Sequence, residues 1–142
     1  MPALLDVNVL IALLDGAHLH HHRAMAWLHE NIDHGWASCP LTQNGCVRIM
    51  SQNGYPNCRP VVDIARRLRA ATDTPMHTFW ADNLSLLDSA HIDCQELLQP
   101  RQITDAYLLA LAAEHGGTFV TFDRAIMLAA VPQASAENLI VL

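Results

Sequence analysis

The chain has 142 residues, 51% of them hydrophobic and 15% charged, which supplies the core of one domain and too little charge for a long disordered tail. Its formal charge of −6 excludes a nonspecific coat on nucleic acid, since that rests on Lys and Arg neutralising phosphates, while leaving room for a local basic patch. All eight cationic side chains are arginines, so chemistry that needs a lysine amine, such as Schiff-base formation or Walker-type phosphate binding, is excluded too.

Ala3–Leu5 is a short apolar run halted by Asp6, and Val7–Leu14 continues apolar with Asn8 placed to start a helix. Asp15-Gly16 breaks the pattern. His18–Ile32 then predicts an amphipathic surface helix with Ala24, Trp27, Leu28 and Ile32 on its inner face. His18, His20, His21 and His22 crowd its start. His18 and His22 have the spacing of a zinc pair, but no third ligand lies nearby in sequence, and a solvated helix face is the preferred reading. Trp36–Cys39 predicts a second strand, and Leu41–Ser51 a helix despite Gly45. Asn53-Gly54-Tyr55-Pro56 is a turn. Pro60–Ala71 predicts a helix with Pro60 in its first turn, and Met76–Trp80 a third strand. Ala81–Pro100 carries no legible period.

In the next stretch Tyr107, Leu108, Leu111 and Ala112 have the spacing of a helix with one buried face, and Gly116-Gly117 closes it. Thr104 is expected as its N-cap and Asp105 in its first turn, where the macrodipole favours a carboxylate. Thr118–Phe122 predicts a buried strand that ends at Asp123. Ala125–Ala130 is expected to be helical and stopped by Pro132, and Leu139–Leu142 to be a last strand. Strands alternating with helices imply parallel pairing with right-handed crossovers. The expected architecture is a three-layer α/β/α sandwich with a mostly parallel central sheet, residues 1–142 forming a single domain.

The N-terminus lacks a basic segment ahead of its apolar stretch, which Asp6 and Asn8 interrupt, so neither a signal peptide nor a membrane span is expected. Four cysteines without a C-x-x-C pair suit a reducing compartment, and the expected location is the cytoplasm.

Asp6 and Asp123 each follow a predicted strand and Asp105 opens a helix, so three carboxylates can meet in the crevice at the carboxyl ends of a parallel sheet. Packed together they would repel, and burial would raise their pKa values unless a cation neutralised them. Mg²⁺ prefers oxygen ligands, keeps several waters and needs only one or two carboxylates. Such an ion can activate water and stabilise charge on a phosphodiester. Any one of these aspartates could equally be a cap or turn residue; the joint placement carries the reading.

The segments LLDVNVLIALL, ASCPLTQNGCVRIMS and ITDAYLLALAAEHGGTFVTFDR, in this order over nearly the whole chain, resemble the VapC toxins of the PIN-domain ribonuclease family. The resemblance implies an endoribonuclease that cuts RNA with Mg²⁺ or Mn²⁺, the toxin of a type II toxin-antitoxin system. It further implies silencing by a cognate antitoxin and a homodimer built from helices. Asp6 matches the acid after the first strand, Asp105 the acid of the helix that begins T-D, and Asp123 the acid of the T-F-D turn. Many members carry a glutamate where this chain reads Thr42-Gln43-Asn44. Gln43 and Asn44 retain amides that can hydrogen-bond a metal-bound water, but the number of ions is left open. One ion held chiefly by Asp6 and Asp105, with Asp123 outside them or as an additional ligand, is the expectation; a catalytically weakened PIN-like interaction module is the alternative. A phosphoacceptor receiver shares the layout but needs a lysine.

Arg59, Arg66, Arg67 and Arg69 gather half the positive charge around one helix. Arg66, Arg67 and Arg69, together with Arg124 beside Asp123, are candidates for gripping RNA phosphates, an ordinary exposed face being the alternative. Trp27, Trp36 and Trp80 lie among apolar neighbours and are expected as core or interface anchors rather than base-stacking platforms.

Overall fold

The computed structural model describes residues 1–142 and alternates five short parallel strands with five helices. In chain order these are β1 (Ala3–Leu5), α1 (Val7–Leu14), α2 (His21–Asn31), β2 (Trp36–Ser38), α3 (Pro40–Met50), α4 (Val61–Thr72), β3 (His77–Phe79), α5 (Gln102–Glu114), β4 (Thr118–Thr121) and β5 (Leu139–Val141). The sheet order is β3-β2-β1-β4-β5, with Ala3 opposite both Trp36 and Thr118. Side chains alternate across the pleat and so divide the core into two layers. Leu4, Ala37 and Phe119 pack with α5, while Ala3, Leu5, Trp36 and Val120 pack with buried residues of α1, α3 and α4. The result is the α/β/α sandwich expected from the alternation. A slip of one residue in β1 would exchange its two faces, so the register is strongly specified.

Helix α5 is buried along the whole of Ala106–Ala112, apolar on every side. Its outer cover is the segment that carried no period: Leu84, Leu86 and Leu97 pack on the α5 layer, Ile92 is buried within it, and only Cys94–Glu96 forms a single 3-10 turn. The helix closes as Gly116 takes φ +62°, its N–H donating to Ala113 while that of Gly117 donates to Ala112. These two bonds satisfy carbonyls that the last turn would otherwise leave open. At Gly117 a Cβ would lie 2.4 Å from the Pro2 carbonyl oxygen, so only glycine lets β4 enter beside β1.

Several expectations require correction. Helix α5 starts two residues before Thr104, after an Arg101 N-cap that makes no side-chain bond, because the Gln102 carboxamide oxygen turns back to accept from Leu98 and Gln99. Asn8 lies inside α1, whose N-cap is Asp6. Ala125–Ala130 is not a helix: one 3-10 turn forms at Leu128–Ala130, held in a loop whose Ala130 carbonyl accepts from Asp93. The helix expected from His18 begins only at His21 and finishes in a 3-10 turn at Ile32–His34. No helix is long and apolar enough to cross a membrane.

Candidate active site

All five strands are parallel, so their carboxyl ends share one edge of the sheet. The chain leaves β1 toward β2 on one side and returns as β4 on the other, which opens a crevice where the order reverses. Asp6 stands at that point. As N-cap of α1 it accepts from the Val7 N–H through Oδ1 at 2.7 Å and from the Thr121 hydroxyl through Oδ2 at 2.6 Å. Only 7% of it is exposed. Burial raises its pKa, Thr121 and Val7 hold it down in part, and the charge of Asp123 raises it again.

The wholly buried Thr121 hydroxyl does more than donate to Asp6. Its Oγ1 accepts from the Asp123 N–H at 3.0 Å and from Asn8 Nδ2 at 3.4 Å, while Asn8 Oδ1 accepts from the Phe122 N–H at 3.4 Å. One oxygen thus couples the end of β1, the first turn of α1 and the end of β4. Neither Thr121 nor Asn8 emerged from the sequence as a site residue. A hydroxyl two residues before an aspartate was the available signal, since side chains of this kind bond the backbone two residues on.

Asp105 comes from the opposite layer, in the first turn of α5. Its carboxyl is pushed up to about 7, by burial first, then by the charges of Asp6 and Asp123 and by contact with the Asp123 carboxyl. The three predicted aspartates are therefore close enough to oppose one another's ionisation, and no cationic side chain is among the groups that shift Asp6 or Asp105. Asp123 spends Oδ1 on the Ala125 N–H at 2.8 Å, a turn bond that leaves Oδ2 free of that duty. As the side chains stand, no group of three or more His, Cys, Asp or Glu is arranged to hold a metal ion, the three aspartates included. Carboxylate oxygens without His or Cys suit a hard divalent cation that keeps part of its water better than zinc, whose protein sites usually include His or Cys.

The other predicted site residues are dispersed. Gln43 donates to Ser38 Oγ at 2.9 Å, and that oxygen also meets His77 Nε2 at 2.8 Å. Gln43 and Asn44 line a groove between α3 and α4, and neither is hydrogen-bonded to an aspartate of the site. Arg66 faces Asp63 at 3.7 Å, Arg67 donates to the Leu14 carbonyl at 3.5 Å, and Arg69 lines the α3–α4 groove. Arg66 and Arg69, three positions apart, share a face of α4, whereas Arg67 turns toward the end of α1, and none of the three is bonded to an aspartate of the site. Arg124 is exposed beside Asp123.

The histidines form neither a zinc pair nor a solvated face. His18 lies outside α2 and accepts the His20 N–H through Nδ1 at 3.0 Å, His20 stacks on Phe122 with ring centroids 4.8 Å apart, and His21 Nδ1 donates to the Ala12 carbonyl at 2.7 Å. Asp15 and Tyr55 read in the sequence only as a helix break and a turn residue, and their pairing is not foreseen there. The Tyr55 hydroxyl donates to Asp15 and holds its carboxyl below the usual range, which ties the turn after α3 to the end of α1.

The description PIN domain belongs to a family model that matches residues 3–132, and the chain is a member of that family. Ribonuclease VapC44 of Mycobacterium tuberculosis is 54% identical over 139 residues, covering 98% of both chains, and ribonuclease VapC39 of the same organism is 43% identical over 89% of this chain and 91% of its own. Within the PIN-domain family the chain falls among the VapC ribonucleases. The fold also matches crystal structures of M. tuberculosis VapC20, a sarcin-ricin loop cleaving toxin (TM-score 0.62, 13% identity, 93% and 98% coverage), and of Rickettsia felis VapBC2 bound to a promoter DNA fragment (TM-score 0.61, 10% identity, 100% and 99% coverage).

Proposed function

We propose that this protein is the endoribonuclease toxin of a toxin-antitoxin pair, cutting RNA phosphodiesters in the crevice lined by Asp6, Asp105 and Asp123. Identity of 54% to a VapC ribonuclease over nearly the full length supports the activity. The observation that favours these residues is the elevated Asp105 carboxyl, opposed by two other aspartates and relieved by no protein cation. A divalent cation, Mg²⁺ or Mn²⁺, bound there would let the carboxylates ionise together and would stabilise charge on the phosphodiester.

The chain's own groups divide the remaining work. Thr121 and the Val7 N–H fix both Asp6 oxygens, so this ligand is preorganised. Asp105 projects from the first turn of a buried helix, on a rigid support. Asp123, with one oxygen committed to its own turn, acts outside these two or as an additional ligand. Arg124 is placed to meet a substrate phosphate, and the cytoplasm, where RNA is at hand, is the site of action. A cognate antitoxin and a helix-built homodimer complete the proposal, as does a single domain over residues 1–142.

The test is cleavage of RNA by the purified protein with Mg²⁺ or Mn²⁺. Asp6→Asn and Asp105→Asn should each lower the rate at least about a hundredfold, the loss typical of removing a group that stabilises transition-state charge. Variants that cut as well as the parent would show that the aspartates are wrongly assigned.

A further inference from the structure

Cutting RNA requires more than a charged centre, because a single strand is held by ring faces and polar groups that meet its bases. The chain has eight Phe, Trp and Tyr side chains. Trp36, Trp80, Tyr107 and Phe119 are buried in the core. Trp27 lines a pocket at the opposite edge of the sheet with Met1, Ala3 and Thr118. Tyr55 is bound to Asp15, and exposed Phe79 ends the edge strand β3, two strands away from β1. Phe122 alone adjoins the acids, between Thr121 and Asp123, and its backbone is tied to Asn8. The His20 imidazole lies on it at 4.8 Å and 30°, and the His20 backbone N–H donates to His18 Nδ1, which holds the segment that carries the ring.

We infer that His20, backed by Phe122, is an RNA-binding residue at the rim of the acidic crevice, where its ring stacks on a base of the strand being cut. The placement suits the role. The segment Gly16–His20 protrudes between α1 and α2, Leu19 at its tip is 88% exposed, and His20 itself is only half-buried. Two aromatic layers, Phe122 and His20, then present one flat surface to a third. The imidazole adds a ring nitrogen that can bond a base edge or phosphate. This inference rests on the ribonuclease reading above.

The experiment measures binding without turnover. A fluorescein-labelled single-stranded RNA oligonucleotide is titrated at low salt against the Asp6→Asn protein and against the same protein carrying His20→Ala or His20→Phe, with melting temperatures recorded for each. His20→Ala should weaken binding about tenfold, within the range for loss of one base-aromatic stack, without lowering the melting temperature of the fold enough to explain it. His20→Phe keeps the stack and should bind within about threefold of the parent. Equal affinity for His20→Ala and its parent overturns the inference, as does a His20→Phe protein that is folded and binds as poorly as the alanine variant. Failure of the ribonuclease reading itself is separable: it would show as parent protein, with Asp6 intact, that leaves the oligonucleotide uncut in Mg²⁺ and in Mn²⁺.

Discussion

Asp105→Asn should make the metal-free protein more stable, although it removes a proposed metal ligand. The folded-state carboxyl titrates at about 7 against an ordinary value of 3.8. A raised acid binds protons more tightly in the folded state, so its ionisation at neutral pH works against folding. At about 1.4 kcal/mol for each tenfold change in proton affinity the upper bound is about 4 kcal/mol. The carboxyl is only half-buried, and solvent screening discounts this to about 2 kcal/mol. For a chain of this length, that is a rise of about 6 °C in melting temperature. Thermal unfolding in EDTA at pH 8 reads it directly. The gap between variant and parent should narrow as pH falls from about 7 toward 3.8, because the parent carboxyl is then increasingly protonated in the folded state. Mn²⁺ should reverse the order: at a hundred times its Kd a cation adds about 2.7 kcal/mol to the parent and little to a variant lacking the ligand. A variant that melts at or below the parent in EDTA at pH 8 would refute the reasoning, since Asp105 would then carry no electrostatic penalty.

Thr121→Val removes the hydroxyl shared by Asp6, Asp123 and Asn8 at nearly constant volume, and should cost about 2 kcal/mol in urea unfolding. It should also move the acid limb of the cleavage rate to higher pH, because the bond that lowers the Asp6 pKa is lost; Thr121→Ser should restore both. Tyr55→Phe should cost about 1.5 kcal/mol at neutral pH by releasing Asp15. Asp15 has a depressed pKa, so that deficit is present above its ordinary 3.8 and should fade as pH falls below it, as urea midpoints across pH would show. Gly117→Ala drives a Cβ against the Pro2 carbonyl and should destabilise by about 2 kcal/mol or more, whereas Gly16→Ala meets nothing within 4 Å and should leave the urea midpoint nearly unchanged.

The sheet was legible because its code is local. Apolar runs at Ala3–Leu5, Trp36–Cys39 and Thr118–Phe122, each followed by an acid or a cap, fix strand, edge and crossover without reference to distant residues. The aspartates were legible for the same reason, as each follows a strand or opens a helix. What escaped depends on contacts between remote segments. Ala81–Pro100 has no period because it is a cover rather than an element, ordered by bonds such as Asp93 to Ala130 and by His91 between Asp88 and Glu114. Ala125–Ala130 has helical composition, yet its first N–H is taken by the Asp123 carboxylate and its last carbonyl by Asp93 of that cover. The histidine run looked like a solvated face because composition says nothing of Phe122, a hundred residues away, on which His20 lies. Asp82, half-buried after β3, likewise donates no sequence signal, but its Oδ2 accepts from the Leu41 N–H at the start of α3.

The Thr121–Asp6 bond joins residues 115 positions apart, and Asp6 also takes its backbone partner from Val120. A growing polypeptide that still lacks β4 has its first acid held only through Oδ1 by the neighbouring Val7 N–H, with Oδ2 and the Asp6 N–H unpartnered. The acidic crevice is therefore completed late in synthesis, when residues some 115 positions beyond Asp6 have emerged. Chains that end before Thr121 lack the hydroxyl that holds Asp6 Oδ2 and are expected to leave RNA uncut.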